Sequence, residues 1–197
     1  MTKQFSPACE RNREPIFQAL RTLLADRRHV LEIGSGTGQH AVFFGAQLPH
    51  LIWQASDLPE NLPGIVAWQH EAQLPNVPPA LVLDAGSSTW PDGDYDAVFT
   101  ANTCHIMAWR EVESMFEGVG RFLPAGGILC IYGPFNYQGA FTSASNAHFD
   151  AALRAQAPHR GIRDFEALDY LALVNGLVLE ADLDMPSNNR LLAWKRQ

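Results

Sequence analysis

The segment Val30-Leu-Glu-Ile-Gly-Ser-Gly-Thr-Gly38 constrains this chain more than any other. The short apolar run from His29 to Ile33 reads as a buried strand. It gives way at once to glycines at alternate positions: Gly34, Gly36 and Gly38. With no Cβ, the backbone there can turn sharply and come close to a bound molecule. The next stretch, Gln39 to Leu48, has helical spacing through Val42, Phe43, Ala46 and Leu48, and its first N–H groups point at the same spot. The dinucleotide pattern G-x-G-x-x-G fails, because the sixth position counted from Gly34 is Gln39.

The flanking periodicity repeats this alternation. Ile16, Leu20, Leu23 and Leu24 predict an amphipathic helix ending near Asp26, with Pro15 in its first turn and Arg11, Asn12 and Arg13 ahead of it. Further strands are expected at Leu51–Ala55, Ala80–Leu83, Asp96–Thr100 and Ile128–Tyr132. Helices are expected at Gly64–Gln73, from about Val112 to Leu123, from about Asn146 to Ala157, and over Arg163–Asn175 with Gly176 as its C′ residue. Leu177–Leu183 and Arg190–Lys195 read as a closing strand pair. Alternating strands and helices predict a doubly wound α/β fold, a parallel sheet with helices on both faces. Ligands in such sheets sit beyond the carboxyl ends of the strands, which singles out Glu32 to Gly38, Asp57, Asp84, Asn102 and Tyr132.

The 197 residues suit a single domain, residues 1–197, with 1–28 as an N-terminal helical cap and 134–176 as a substrate-side insert. The net charge of −7 argues against a nucleic-acid backbone or an anionic membrane as partner. Three widely spaced cysteines (Cys9, Cys104 and Cys130) form no C-x-x-C pair, so a cytosolic, reducing setting is expected. The N-terminus shows no apolar leader segment and no run reads as a membrane span.

Acidic residues fall at successive strand ends. Asp57 lies 23 residues after Gly34, where a carboxylate can accept both hydroxyls of a ribose. Asp84 can accept an adenine amino group, and the small Ala85 leaves room for the ring. Glu32, two places before the first glycine, suits a ligand carrying an ammonium and a sulfonium. The form G-x-G-x-G with that preceding acid is the one seen in S-adenosylmethionine sites. Over nearly its whole length the chain resembles the class I S-adenosylmethionine-dependent methyltransferases. The matching pieces are Glu32 to Gly38, Asp57, Asp84-Ala85, Tyr95 to Phe99, Leu123 to Gly127 and the closing strand pair. More narrowly, Ser6 to Ile16, Ala101-Asn102, His105-Ile106 and Tyr132 to Phe135 resemble the family known as domain of unknown function 938, methyltransferase-like proteins without an assigned substrate. The resemblance implies a seven-stranded, mostly parallel Rossmann-like sheet. It also implies S-adenosylmethionine as cofactor, with S-adenosylhomocysteine as product. The expected cofactor-binding set is Asn12, Glu32, Gly34, Ser35, Gly36, Gly38, Asp57, Leu58, Asp84, Ala85 and Asn102.

Methyl transfer is an in-line displacement that depends chiefly on positioning, with a base needed only for a protonated nucleophile. His105, a few residues beyond the fourth strand, is the candidate catalytic base. Arg11, Tyr132, Phe135 and Tyr137 are candidate substrate-binding residues, and Phe141 and Phe149 fall in the same aromatic cluster. His148 and Asp150 lie on a helix that could cap the pocket, with His148 read as exposed; His29, His40, His50, His70 and His159 read as surface or structural. Asn102-Thr-Cys-His105 lacks the prolines and aromatic of nucleobase amino-methyltransferases. Asn102 alone does not supply the two aspartates and asparagine of a metal-dependent site, so no metal is expected. The expected function is methyl transfer from S-adenosylmethionine to a small molecule. The rivals are an NAD-dependent oxidoreductase and a cofactor-binding partner protein without turnover.

Overall fold

The computed structural model describes residues 3–87 and 89–197. The elements run α1 (Pro7–Leu23), β1 (His29–Ile33), α2 (Gln39–Gln47), β2 (Ile52–Asp57), α3 (Leu62–Ala72), β3 (Leu81–Val82), β4 (Ala97–Ala101), α4 (Trp109–Phe122) and β5 (Ile128–Gly133). They continue with β6 (Phe135–Asn136), α5 (Ala144–Gln156), β7 (Arg163–Asp164), α6 (Phe165–Val174), β8 (Leu177–Met185) and β9 (Asn189–Arg196). Seven strands form one sheet in the order β3-β2-β1-β4-β5-β9-β8; β6 and β7 pair separately. Strands β1 to β4 pair in parallel, whereas β9 runs antiparallel to both β5 and β8. This is the doubly wound α/β sheet with a closing antiparallel pair that the alternation predicts.

The chain divides into two compact units, Met1–Asp84 with Thr89–Thr100, and Ala85–Ser88 with Ala101–Gln197. In the first, β1 is flanked in register by β2 and β4, with Glu32 opposite Ala55 on one side and Phe99 on the other. Strands buried on both faces explain the unbroken apolar runs. Phe44, Trp53 and Phe99 pack with ring centroids 5.1 to 5.6 Å apart. In the second unit, α4 buries Val112, Met115, Phe116 and Val119 on the predicted stripe, with Phe116 edge-on to Trp194 of β9. Gly176 has φ 74°, as a C′ residue should.

Three local readings are corrected. First, α1 begins eight residues earlier than Pro15 implies. Ser6 is its N-cap, with Oγ accepting from Cys9 N at 3.3 Å, and Pro7 occupies the first turn. Pro15 is interior, and the carbonyl deprived of its donor belongs to Arg11, which is exposed and so open to water. Arg11, Asn12 and Arg13 therefore belong to α1 itself. Second, β3 is only two residues long and ends before Asp84. Third, β6 and β7 are two-residue strands, too short to leave a period in the sequence. Among the described residues no helix is long and apolar enough to cross a membrane.

The packing of α3 against the glycine turn yields a test. At Gly38, φ is 86° and an added Cβ would fall 2.8 Å from Ile65 Cα; at Gly36, φ is 58° but nothing lies within 4 Å. Gly36→Ala should cost about 1–2 kcal/mol, the left-handed penalty alone. Gly38→Ala adds a backbone collision and should cost roughly 3 kcal/mol or more. Urea unfolding of both variants reads the difference; equal losses would refute the close-approach argument.

Candidate functional site

Two groups of polar side chains stand out, one in each unit. The first surrounds the glycine turn. Gly34, Gly36 and Gly38 all have positive φ, which explains their spacing. The turn is latched to β2 through both backbone and side chains. Ser35 N donates to Ser56 O at 3.0 Å, Ser56 N to Ser35 Oγ at 3.2 Å, and Ser56 Oγ to Glu32 O at 2.6 Å. Asp57, 6% exposed, accepts from Gly36 N at 2.6 Å through one carboxylate oxygen. Its other oxygen accepts from Leu58 N at 2.7 Å and Asn61 Nδ2 at 2.8 Å. The aspartate thus shapes the turn itself, and the lone pair left on the Gly36-bound oxygen can still receive a hydroxyl.

Glu32 is buried, and its carboxylate accepts from Trp53 Nε1 at 2.9 Å. Burial pushes its pKa up to about 7, aided by the Asp57 charge and opposed by hydrogen bonds from Trp53 and Ser35. A carboxyl so poised responds strongly to a nearby cation.

The sequence reading missed two contributors here. Gln39, 2% exposed, opens α2. Its Oε1 accepts from Ser6 N at 2.5 Å and Thr37 Oγ1 at 3.1 Å, tying the start of α1 to the glycine turn. Its Nε2 is buried without a hydrogen-bond partner. His40, read from sequence as surface or structural, is buried, stacked on Phe44 at 5.1 Å and paired through Nε2 with Asn12 Oδ1 at 2.8 Å. Burial, with Arg13 nearby, lowers its pKa to about 4. Asn12 is thereby engaged with His40, and Arg11 lies exposed on α1. The only sequence signal for the α1 contact was Ser6-Pro7, an N-cap followed by an N1 proline. Asp84, two residues past β3, is exposed.

The second group lies in the other unit. Asn102 follows β4 with φ 62°, a conformation asparagine tolerates, and donates its N–H to Tyr132 O at 2.8 Å. A Cβ added to Gly133 would lie 3.8 Å from the Phe135 ring, 3.9 Å from His105 Nδ1 and 4.0 Å from Asn102 Oδ1. Three sequence-predicted positions thus gather where Gly133 lacks a side chain. His105 is 6% exposed. Burial, reinforced by Arg163 and Arg160, lowers its pKa to about 4, so it is neutral at physiological pH. Tyr132 and Phe135 are fully packed. Tyr137 points elsewhere: its hydroxyl donates to Asp182 at 2.8 Å, and its ring stacks on Phe165 at 5.2 Å. It lines a cleft of about 570 Å³ beside the β8–β9 hairpin, together with Thr142, Met185, Asn188 and Arg190. Among the described residues no group of three or more His, Cys, Asp or Glu side chains is placed to hold a metal ion.

Comparison with solved structures places this fold among methyltransferases. An O-methyltransferase family protein from Burkholderia thailandensis superposes with a TM-score of 0.78 at 19% identity, covering 93% of this chain and 56% of its own. The S-adenosylmethionine-dependent methyltransferase SibL, in its apo form, gives 0.81 at 17% identity, with 96% and 55% covered. PigF with SAH gives 0.75 at 15% identity, with 87% and 51% covered. The chain spans little more than half the length of these relatives. Their sheet is this chain's sheet, a Rossmann-like α/β fold. The chain itself belongs to the family described as "Protein of unknown function (DUF938)", which matches residues 3–196.

The buried titrating groups generate a stability prediction. Between about pH 6.5 and 4.5 the unfolded chain protonates His40 and His105, while the folded chain keeps both neutral. Over the same range the folded chain retains a proton on Glu32 that the unfolded chain has lost. Two protons favour unfolding and one favours folding, so stability should fall on acidification by roughly 1.4 kcal/mol per pH unit. His29, also lowered by burial, acts in the same direction. Urea midpoints at pH 7 and pH 5 measure the loss. Glu32→Gln, which removes the opposing group, should steepen it, and a midpoint that rises toward acid would sink the assignment.

Proposed function

We propose that this protein transfers a methyl group from S-adenosylmethionine to a small molecule. The observation that carries the reading is the latched turn: three positive-φ glycines held by the Asp57 carboxylate next to buried Glu32. The residues present fit the cofactor. Open space stands over Gly36, Asp57 keeps an acceptor site for a ribose hydroxyl, and Glu32 is a buried acid that a cationic ligand would ionise. Gly34, Ser35, Gly36, Gly38 and Leu58 shape or border the turn, and Asn12, Asp84, Ala85 and Asn102 complete the assigned set. The neighbours named above are methyltransferases, which supports the same activity.

When bound, the cofactor supplies a methyl on sulfonium, already activated for displacement. The chain must hold the acceptor atom about 3 Å from that methyl, in line with the sulfur. His105 is the residue assigned to this end. Neutral at physiological pH, its imidazole can accept a hydrogen bond from an acceptor O–H or N–H and receive its proton. Asn102 Oδ1, gathered at the same glycine, orients the group that donates. Phe135, Tyr132 and Arg11 are assigned to the substrate side. The setting proposed is cytoplasmic, with no nucleic acid or membrane as partner.

Calorimetry with S-adenosylhomocysteine tests the reading. Its ammonium should draw the Glu32 proton off, so affinity should increase as pH rises through about 7, and binding there should release a fraction of a proton. The release should vanish in Glu32→Gln. Asp57→Ala should weaken binding by roughly 1–3 kcal/mol, through the lost hydroxyl acceptor and the loosened turn. No binding at millimolar ligand would remove the proposal.

A further inference from the structure

His105 has an imidazole that is 6% exposed and makes none of the hydrogen bonds found around it. Its carbonyl accepts from Gly161 N at 2.9 Å, which fixes the 159–162 turn against it. Its ring meets Phe149 edge-on, centroids 5.3 Å apart. Phe149 and Ile106, the residue next to His105, are 41% and 42% exposed, so apolar surface reaches solvent near a buried polar ring.

Two guanidinium charges act on this ring, and they are differently employed. Arg163 is committed: Nε donates to Cys104 O at 3.0 Å, and Nη2 to Met107 O at 2.5 Å and His159 O at 2.9 Å. Arg160, immediately before Gly161, gives Nη1 to Gln156 at 3.1 Å, while its Nε is buried with no partner. The acid at hand, Asp150, is 6% exposed and already accepts from Arg154 Nε at 2.6 Å and Ile162 N at 2.8 Å. A chain with 21 acidic and 14 basic residues therefore holds an arginine next in sequence to the glycine bonded to His105 O, and among the described residues no carboxylate pairs with it. Arg160 Nη2 makes no hydrogen bond among the described residues, so the guanidinium keeps a charged donor that an anion can take.

We infer that the molecule received at His105 carries a carboxylate on an aromatic or otherwise apolar body, with Arg160 taking the carboxylate while Phe149 and Ile106 cover the body. The inference rests on the proposed function only in treating the surroundings of His105 as the acceptor site. It names a substrate class, organic acids with an apolar body, and it gives Arg160 the part of a specificity-determining residue.

The test uses benzoate and benzyl alcohol as matched probes, titrated into the whole protein while the His105 ring resonance is followed by NMR; His105→Gln identifies the signal. Benzoate should perturb that resonance and bind about tenfold or more tightly than benzyl alcohol, as a charge-assisted contact requires. The bound anion should raise the His105 titration midpoint above about 4. Arg160→Gln should raise the midpoint without ligand, because a positive charge has gone, and should abolish the preference for benzoate. Arg160→Lys should keep part of that preference. Equal binding of the two probes, benzoate binding that leaves His105 undisturbed, no benzoate binding at tens of millimolar, or a preference that survives in Arg160→Gln would each overturn the inference. Should Arg160→Gln fail to fold, the probe comparison on the unaltered protein decides alone. Calorimetry with S-adenosylhomocysteine on the same samples separates the two claims. Binding of that ligand without benzoate discrimination removes this inference and leaves the proposed function; the converse removes the proposed function alone.

Discussion

The Asp57 carboxylate, accepting from the Gly36 N–H at 2.6 Å, holds the glycine turn to the second strand. Everything proposed for the first unit depends on this contact. A turn through three left-handed glycines has little conformational preference of its own, since glycine occupies both halves of φ space. One buried acceptor, with the Ser35–Ser56 backbone and side-chain bonds behind it, selects a single conformation. The aspartate expected at a ribose therefore serves first as an organiser of the loop. A substitution there should affect both binding and the shape of the turn.

Glu32 shows how burial and function oppose one another. A carboxyl buried against Trp53 is unfavourable as an anion, and its pKa near 7 expresses that cost. A core built for stability alone would place an apolar residue there. Retaining an acid there, with Trp53 and Ser35 as its donors, leaves a group whose ionisation couples to any cation nearby. His105 is the counterpart in the second unit: a base kept neutral by burial and by two arginines, and therefore sensitive to an arriving anion. Each unit thus holds, in its candidate site, a buried titratable group displaced toward its uncharged form.

Much of this was legible in the sequence, for identifiable reasons. The glycine spacing, the strand before it and the stripe of α4 are local patterns, set by φ preferences and by the two side-chain periods. Asp57, Asn102 and His105 could be named because strand ends in a doubly wound sheet are where side chains escape the core. The start of α1 was misread because Pro15 was given more weight than the cap at Ser6. A proline interior to a helix is tolerated where the orphaned carbonyl reaches water. His40 and Gln39 escaped notice because burial and partner choice depend on contacts with α1, 28 and 33 residues away for the pairs His40–Asn12 and Gln39–Ser6.

The sequence by itself determined the strand–turn–helix order, the fold class and the residue types at the strand tips, because each depends on neighbours within a few positions. Tertiary structure alone decided which polar groups ended up paired. It gave Asp57 three donors, tied Asn12 to His40 and Tyr137 to Asp182, and left Arg160 Nε and Gln39 Nε2 without partners. The reason is physical: hydrogen-bond satisfaction is settled by distances between segments far apart in the chain, and no local pattern encodes which donor will find its acceptor already taken.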